Sequence, residues 1–223
     1  MLLGLTAWSA DPRRELLEAA RKGQAQRVRE LLDQGAPLDA KDKQGRSALV
    51  LAAENEQAEM VAILLARAGR PAPLSVQLDV AVAPGNLYSS CFMTPAQLAQ
   101  HVAGLQPDAM VAAALRDYAA TNGKGVLAFS SEASADRVLQ VRVRPGASCE
   151  PQRSVDSLSM AIDIKLIRKG RPEPLWQKTI GGGLKGLHSR AVSGPAQYAP
   201  LFEEWSKQHA SQMYWNTLSA LVR

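Results

Sequence analysis

The stretch GAPLDAKDKQGRSAL, residues 35–49, lies between two segments that repeat one another. Leu31-Leu32 returns as Leu64-Leu65 and Ala19-Ala20 as Ala52-Ala53, each after 33 residues, and on the same shift Gln24-Ala25 falls on Gln57-Ala58 and Val28 on Val61. A fixed period of this size marks units that stack on their neighbours. Within each copy the apolar residues recur at helical spacing. Leu16, Leu17 and Ala20 share a face of one short helix, and Val28, Leu31 and Leu32 share a face of a second; Leu49, Ala52 and Ala53, then Val61, Leu64 and Leu65, repeat the arrangement. Alanine at the contacts lets paired helices approach closely. Ser47 carries a hydroxyl that can cap the helix opening at Ala48.

With this period, the residues of the quoted stretch resemble the ankyrin repeat: Gly35-Ala36, an extended loop, the turn Asp42-Lys43-Gln44-Gly45 and the start of the first helix. The resemblance covers Arg14 to about Gly69. Two departures stand out. The usual Thr-Pro-Leu-His tetrapeptide is Ser47-Ala48-Leu49-Val50, which removes the histidine's hydrogen bonds, and Glu56 stands where the first copy has Gly23. The resemblance implies a protein-binding surface made of hairpin tips and the inner helix face. On this chain those positions are Asp42, Lys43, Gln44, Arg46 and Val50, with Glu54 further along the helix.

Arg70-Pro71-Ala72-Pro73 breaks the helical pattern. Val76, Leu78, Val80 and Val82 then alternate with Gln77, Asp79 and Ala81, as in a strand with one buried face. Thr94-Pro95-Ala96-Gln97 reads as a capping box with proline at the first helical position. The helix it opens carries Leu98, Val102 and Leu105, meets Pro107, resumes with Met110, Val111, Leu115 and Tyr118, and ends at Asn122-Gly123. Strands are expected at 126–129, 137–144, 157–168 and 175–180, with a turn at Lys169-Gly170. A last helix opens at Pro200 and carries Phe202, Trp205, His209, Met213 and Leu221. Trp215 falls off its main stripe and points to a second buried face. The order predicts an α+β domain, with an antiparallel sheet and helices on one face.

That order, with Ile164-Lys165-Leu166-Ile167-Arg168-Lys169-Gly170 leading to Leu175-Trp176-Gln177-Lys178, resembles bacterial periplasmic lipoproteins such as the auxiliary lipoproteins of outer-membrane transport systems. It implies a periplasmic protein engaged with an envelope assembly. At the other end, Leu5-Thr6-Ala7-Trp8 resembles a lipobox in which Trp8 occupies the place of the lipid-modified cysteine. The apolar run Met1 to Ala10, followed at once by Asp11-Pro12-Arg13-Arg14, is expected to be the remnant of an export signal. Periplasm is therefore the expected compartment, with cytoplasm the alternative. Membrane association would come only through a lipid anchor at position 8 of an unaltered sequence.

Lysine and arginine number 26 against 21 aspartates and glutamates, a net +5. The two signs alternate along the chain without a basic block, so the positive charge does not concentrate as a nucleic-acid binder requires. His101, His188 and His209 lack metal-ligand spacing, and no metal or cofactor is expected. Gly181-Gly182-Gly183-Leu184-Lys185-Gly186 lacks the Gly-Lys-Ser/Thr of a phosphate loop and reads as a flexible connection. Cys91 and Cys149 are candidates for a disulfide, which an oxidising compartment would allow.

The chain thus divides into 1–10, the signal remnant; 11–70, a two-repeat ankyrin unit; 71–75, a linker; and 76–223, the α+β domain. Its expected role is non-enzymatic: a protein-binding or scaffold protein of the bacterial envelope, whose partner is another protein. The alternatives are an immunity-type inhibitor of a periplasmic toxin, and an enzyme with a site in the loop 84–93 or 181–199. Two repeats leave an apolar face open, and about three are needed for a stable stack. An isolated fragment ending at Arg70 is therefore expected to be largely unfolded; a cooperative thermal transition in its circular dichroism would contradict this.

Overall fold

The computed structural model describes residues 11–70, 72–83, 94–130, 135–150, 155–171, 173–183 and 199–223. They form two compact units. The first opens with α1 (Pro12–Arg21), where the Asp11 carboxylate accepts from the N–H of Arg13 and Pro12 sits in the first turn, needing no N–H of its own. It continues with α2 (Ala25–Asp33), α3 (Ala48–Glu54) and α4 (Ala58–Arg67). Helix α1 packs on α2 and α3 on α4, while α1 meets α3 and α2 meets α4. Two helical hairpins are therefore stacked in register, as the 33-residue period requires. Ala19, Ala20, Ala52 and Ala53 are all buried at these contacts, beside Leu16, Val28, Leu31, Val61, Leu64 and Leu65. Ion pairs join α2 to its neighbours: Arg27 to Glu15 of α1 at 2.7 Å, and to α4 Arg29 with Glu59 at 3.5 Å and Asp33 with Arg67.

The turn between paired helices needs a left-handed residue. Gly23 supplies it in the first hairpin with φ +72°, and Glu56 supplies it in the second with φ +57°. The turn thus survives the replacement of glycine, at the cost of a strained backbone. A Cβ on Gly23 would lie 3.1 Å from Nε2 of Gln57, whose amide donates to the carbonyl of Arg21 in the first hairpin.

Two later segments, 122–127 and 215–223, belong to this first unit. The N–H of Leu74 donates to the carbonyl of Val126 at 2.8 Å. Val126 and Leu127 are fully buried, as is Leu218, with Trp215, Leu221 and Val222 nearly so. The two repeats thus share their unit with apolar residues from distant parts of the chain. The unit is discontinuous, whereas the sequence suggested one cut near residues 71–75.

The second unit is built on a five-stranded sheet of order β2-β1-β3-β4-β5, formed by β1 (Leu74–Val82), β2 (Leu127–Ser130), β3 (Arg137–Glu150), β4 (Val155–Arg168) and β5 (Pro174–Gly183). β3 to β5 form an antiparallel meander. β1 runs parallel to β3, with Leu78 opposite Leu139 and Val80 opposite Val141, so the sheet is mixed rather than wholly antiparallel. A crossover explains this, because α5 (Pro95–Leu105), α6 (Pro107–Thr121) and β2 intervene between β1 and β3. The capping box at Thr94 is formed, each of Thr94 and Gln97 accepting the other's N–H.

Leu139, Val141 and Val143 of β3 and Met160, Ile162, Ile164 and Leu166 of β4 are buried. Residues between them carry charge: Arg142 pairs with Asp79 and Arg144 with Asp163, each at 2.7 Å. Helix α6 packs against β3. The final helix, α7 (Ala199–Val222), brings Tyr214 against Tyr118 of α6 at 5.4 Å and Phe129 of β2 at 6.2 Å. Gly181–Gly183, expected as a flexible connection, instead extend β5 opposite Ala161, Met160 and Ser159. A Cβ on Gly181 would lie 3.3 Å from that of Ala161, so the missing side chain lets this pair close.

Glu56→Gly should stabilise the protein by about 1 kcal/mol by relieving the left-handed strain, less whatever the glutamate side chain contributes. Gly23→Ala should destabilise it, since the new methyl meets both a disfavoured φ and Gln57. Urea unfolding of the two full-length variants checks both signs.

Candidate functional site

The residues that the repeat pattern singled out lie in the first unit, at the hairpin leading into α3. Lys41 and Ser47 form an antiparallel bridge, and the N–H of Asp42 donates to the carbonyl of Arg46 at 2.9 Å. The reversal between them is tight: the N–H of Gly45 donates to the carbonyl of Asp42, and Gly45 adopts φ +76°, where a Cβ would be strained. Asp42 organises the tip. Its Oδ1 accepts from the backbone N–H groups of Gln44 at 2.9 Å and Arg46 at 2.8 Å, while Oδ2 accepts from Nε of Arg46. Burial works against the charged carboxylate, but the Arg46 N–H, the Arg46 guanidinium and the Gln44 N–H outweigh it and hold the group below its ordinary value.

Ser47 accepts from the N–H of Val50 at 3.3 Å, so the cap expected at the start of α3 is made. Val50 is 4% exposed and packs its side chain inward. The hairpin does not depend on the histidine that Val50 replaces, because Asp42 and Arg46 tie its two strands directly.

Charge continues from the hairpin along α3. Arg46 reaches Glu54 through Nη1 at 3.1 Å, and the same carboxylate accepts from Nη2 of Arg223 at 2.9 Å. Asp42, Arg46, Glu54 and Arg223 therefore form one chain of ion pairs. Beside it opens a cleft of about 280 Å³, lined by Lys41, Gln44, Gly45, Arg46, Ser47, Val50 and Arg223. Of the six residues expected to bind a partner, Gln44, Arg46 and Val50 line this cleft, Asp42 and Glu54 hold Arg46 from behind, and exposed Lys43 sits on the tip outside the lining. Arg223 was not foreseen; it lies 169 residues from Glu54, and no local pattern announces it.

The other candidates are quickly placed. His209 stacks on Trp205 at 3.9 Å between ring centroids and places Nδ1 2.9 Å from the Trp205 carbonyl, a contact within one helix. Among the described residues no cluster of three or more histidines, cysteines or carboxylates has the arrangement of a metal site. Met1 to Ala10, the loop 84–93 with Cys91, and residues 184–198 with His188 lie outside the described residues; Cys149 is placed only as a backbone position in β3, opposite Asp156. No helix among the described residues is long and apolar enough to cross a membrane.

The family of ankyrin repeats (3 copies) matches residues 9–73. This segment is an ankyrin-repeat unit, a class of module that mediates protein–protein interaction and carries no catalysis of its own. No curated protein matches the chain. Solved structures similar to it include two bacterial proteins. One is a Xanthomonas campestris protein of the DUF330 family, 16% identical, with 67% of this chain and 88% of that one aligned at a TM-score of 0.38. The other, from Helicobacter pylori, is described as a homologue of a neuraminyllactose-binding hemagglutinin; it is 10% identical over 68% of this chain and 89% of that one, at a TM-score of 0.32.

Because the folded state lowers the Asp42 pKa, its contribution to the hairpin is fully present above the ordinary value of 3.8 and is lost as pH falls through the lower folded value. The Gln44 and Arg46 amide resonances should therefore move together in one titration with a midpoint below 3.8. Asp42→Ala should abolish that titration and accelerate exchange of both amides at neutral pH. A midpoint at or above the ordinary value would mean that Asp42 does not hold the tip.

Proposed function

We propose that the protein is a non-enzymatic binding or scaffold protein, and that it engages another protein through the hairpin 41–47 and the adjoining face of α3. One observation carries this reading: the cleft beside Val50 is framed by an ankyrin hairpin whose tip is locked by Asp42, leaving Lys41, Lys43 and Gln44 exposed. A locked tip loses little conformational freedom when a partner docks. The backbone hydrogen bonds fix the tip, so its side chains can vary with the partner without loss of the hairpin.

We place this activity in the bacterial cell envelope, with the protein exported and lipoprotein-like. The support is the sequence pattern of residues 1–14, an apolar run closing in small residues before Asp11-Pro12-Arg13-Arg14. Export from the native upstream DNA would yield a terminus at Ser9, Ala10 or Asp11, or a lipid-modified residue at position 8. An intact Met1 with Trp8 buried would overturn this compartment and favour the cytoplasmic alternative.

The binding reading is tested by affinity capture. Immobilised full-length protein should retain a discrete partner from envelope extracts, and the double variant Lys41→Ala/Gln44→Ala should retain about tenfold less, as expected for loss of contacts worth about 1.4 kcal/mol. Both side chains line the cleft without holding the hairpin together. Equal retention by both proteins would remove the hairpin from the binding surface.

A further inference from the structure

We infer that the turn joining β4 to β5 is a contact point for an anionic membrane surface, with Arg137, Arg168, Lys169 and Arg171 meeting lipid phosphates and Leu175 entering the apolar boundary beneath them. The turn is fixed by its backbone. The N–H of Arg171 donates to the carbonyl of Arg168 at 3.0 Å, Gly170 adopts φ +73°, and the N–H of Lys169 donates at 2.9 Å to the carbonyl of Asp136, just ahead of β3. Arg137 stands directly opposite Arg168 in the ladder. Like charges so placed work against the fold. Asp136 lies 3.5 Å from Nε of Arg168, a loose pair, while Arg137 has no ion pair among the described residues. The Nε atoms of both arginines are shielded from water and make no hydrogen bond. The guanidinium of Arg171 is exposed and makes no hydrogen bond or ion pair among the described residues.

The excess of positive charge holds on a full count. The described residues of the turn and of the strand ends beside it carry four cations, Arg137, Arg168, Lys169 and Arg171, against two carboxylates, Asp136 and Glu173. Glu132 lies outside the described residues, and the cations stay in excess with it counted. Charge by itself would admit any anion; the apolar neighbour narrows the choice. Leu166 faces Trp176 and Ile167 faces Pro174, so Leu175 is the extra residue of a bulge, without a partner in β4, and it is 50% exposed. Val82, at 38%, is the one other large apolar residue so exposed among the described residues. A free phosphate gains nothing from an exposed leucine. A bilayer accommodates both parts, since its anionic headgroups attract the cations and each buried methylene adds to the binding. An exposed turn also reaches a flat surface directly, whereas a folded protein partner would have to supply a cleft to fit it.

The test is co-sedimentation of the full-length protein with vesicles of phosphatidylcholine, alone or mixed with phosphatidylglycerol. The mixed vesicles should bind it, the neutral ones should not, and added salt should weaken the binding. Lys169→Gln and Arg171→Gln should each reduce affinity for mixed vesicles about fivefold, as for one cation near an anionic surface. Arg14→Gln, in the first unit, should leave it unchanged. Arg137→Gln should weaken binding without lowering the urea midpoint, because it also removes a like-charge pair; a purely structural arginine would do the reverse. Leu175→Ser should weaken binding to mixed vesicles several fold, and excess inorganic phosphate should not displace them. Failure to bind mixed vesicles, equal binding to both vesicle types, indifference to the charge variants, or a urea midpoint that falls with Arg137→Gln while binding is kept would each overturn the inference. Displacement by phosphate together with indifference to Leu175→Ser would make the turn a free-anion site. A glutamate-rich peptide that shifts the amides of residues 168–171, with no binding to mixed vesicles, would assign the turn to an acidic protein; either result sinks the membrane contact.

Discussion

Two ankyrin repeats cannot cover their own apolar faces, and the first unit is organised by that shortfall. A helical hairpin of this kind buries its residues against the next hairpin, so a stack of two leaves an open end. Here the compact unit is completed by segments 122–127 and 215–223 rather than by further repeats. Val126, Leu127 and Leu218 lose essentially all their contact with water, and each such apolar side chain contributes roughly 1.5–3 kcal/mol when fully buried. The stability of the repeats is thereby tied to parts of the chain that come long after them.

The same solution explains the composition of α7. Tyr214 packs with Tyr118 and Phe129 in the second unit, while its neighbour Trp215 belongs to the first. Adjacent residues on a helix point about 100° apart, so burying both Tyr214 and Trp215 takes apolar residues on more than one face. Ala210, Met213, Tyr214, Trp215, Leu218, Leu221 and Val222 are all buried.

The candidate site inherits this long-range dependence. The hairpin itself is local: Asp42, Gln44, Gly45 and Arg46 fix its shape within five residues, and Ser47 caps the helix that follows. Its electrostatics are not local, because Glu54 is shared between Arg46 and Arg223. Arg223 therefore lines a cleft whose other walls come from residues 41–50.

Local regularities settled much of the architecture. The 33-residue period gave the paired helices because recurrent apolar positions at helical spacing must be buried together. Alternation gave the strands, Thr94 and Gln97 gave a capping box that is formed, and the turn residues placed the ankyrin hairpin. Other features required the folded chain. The parallel pairing of β1 with β3 depends on a crossover that alternation along each strand does not encode, and the strand character of Gly181–Gly183 depends on Ala161 across the ladder. Glu56 takes the left-handed turn that composition alone would reserve for glycine, since packing on both sides of the turn outweighs a local strain of order 1 kcal/mol. Arg223 joined the site for the plainest reason: an ion pair forms between groups that the fold brings within 3 Å, and a separation of 169 positions along the sequence leaves no periodic trace of it.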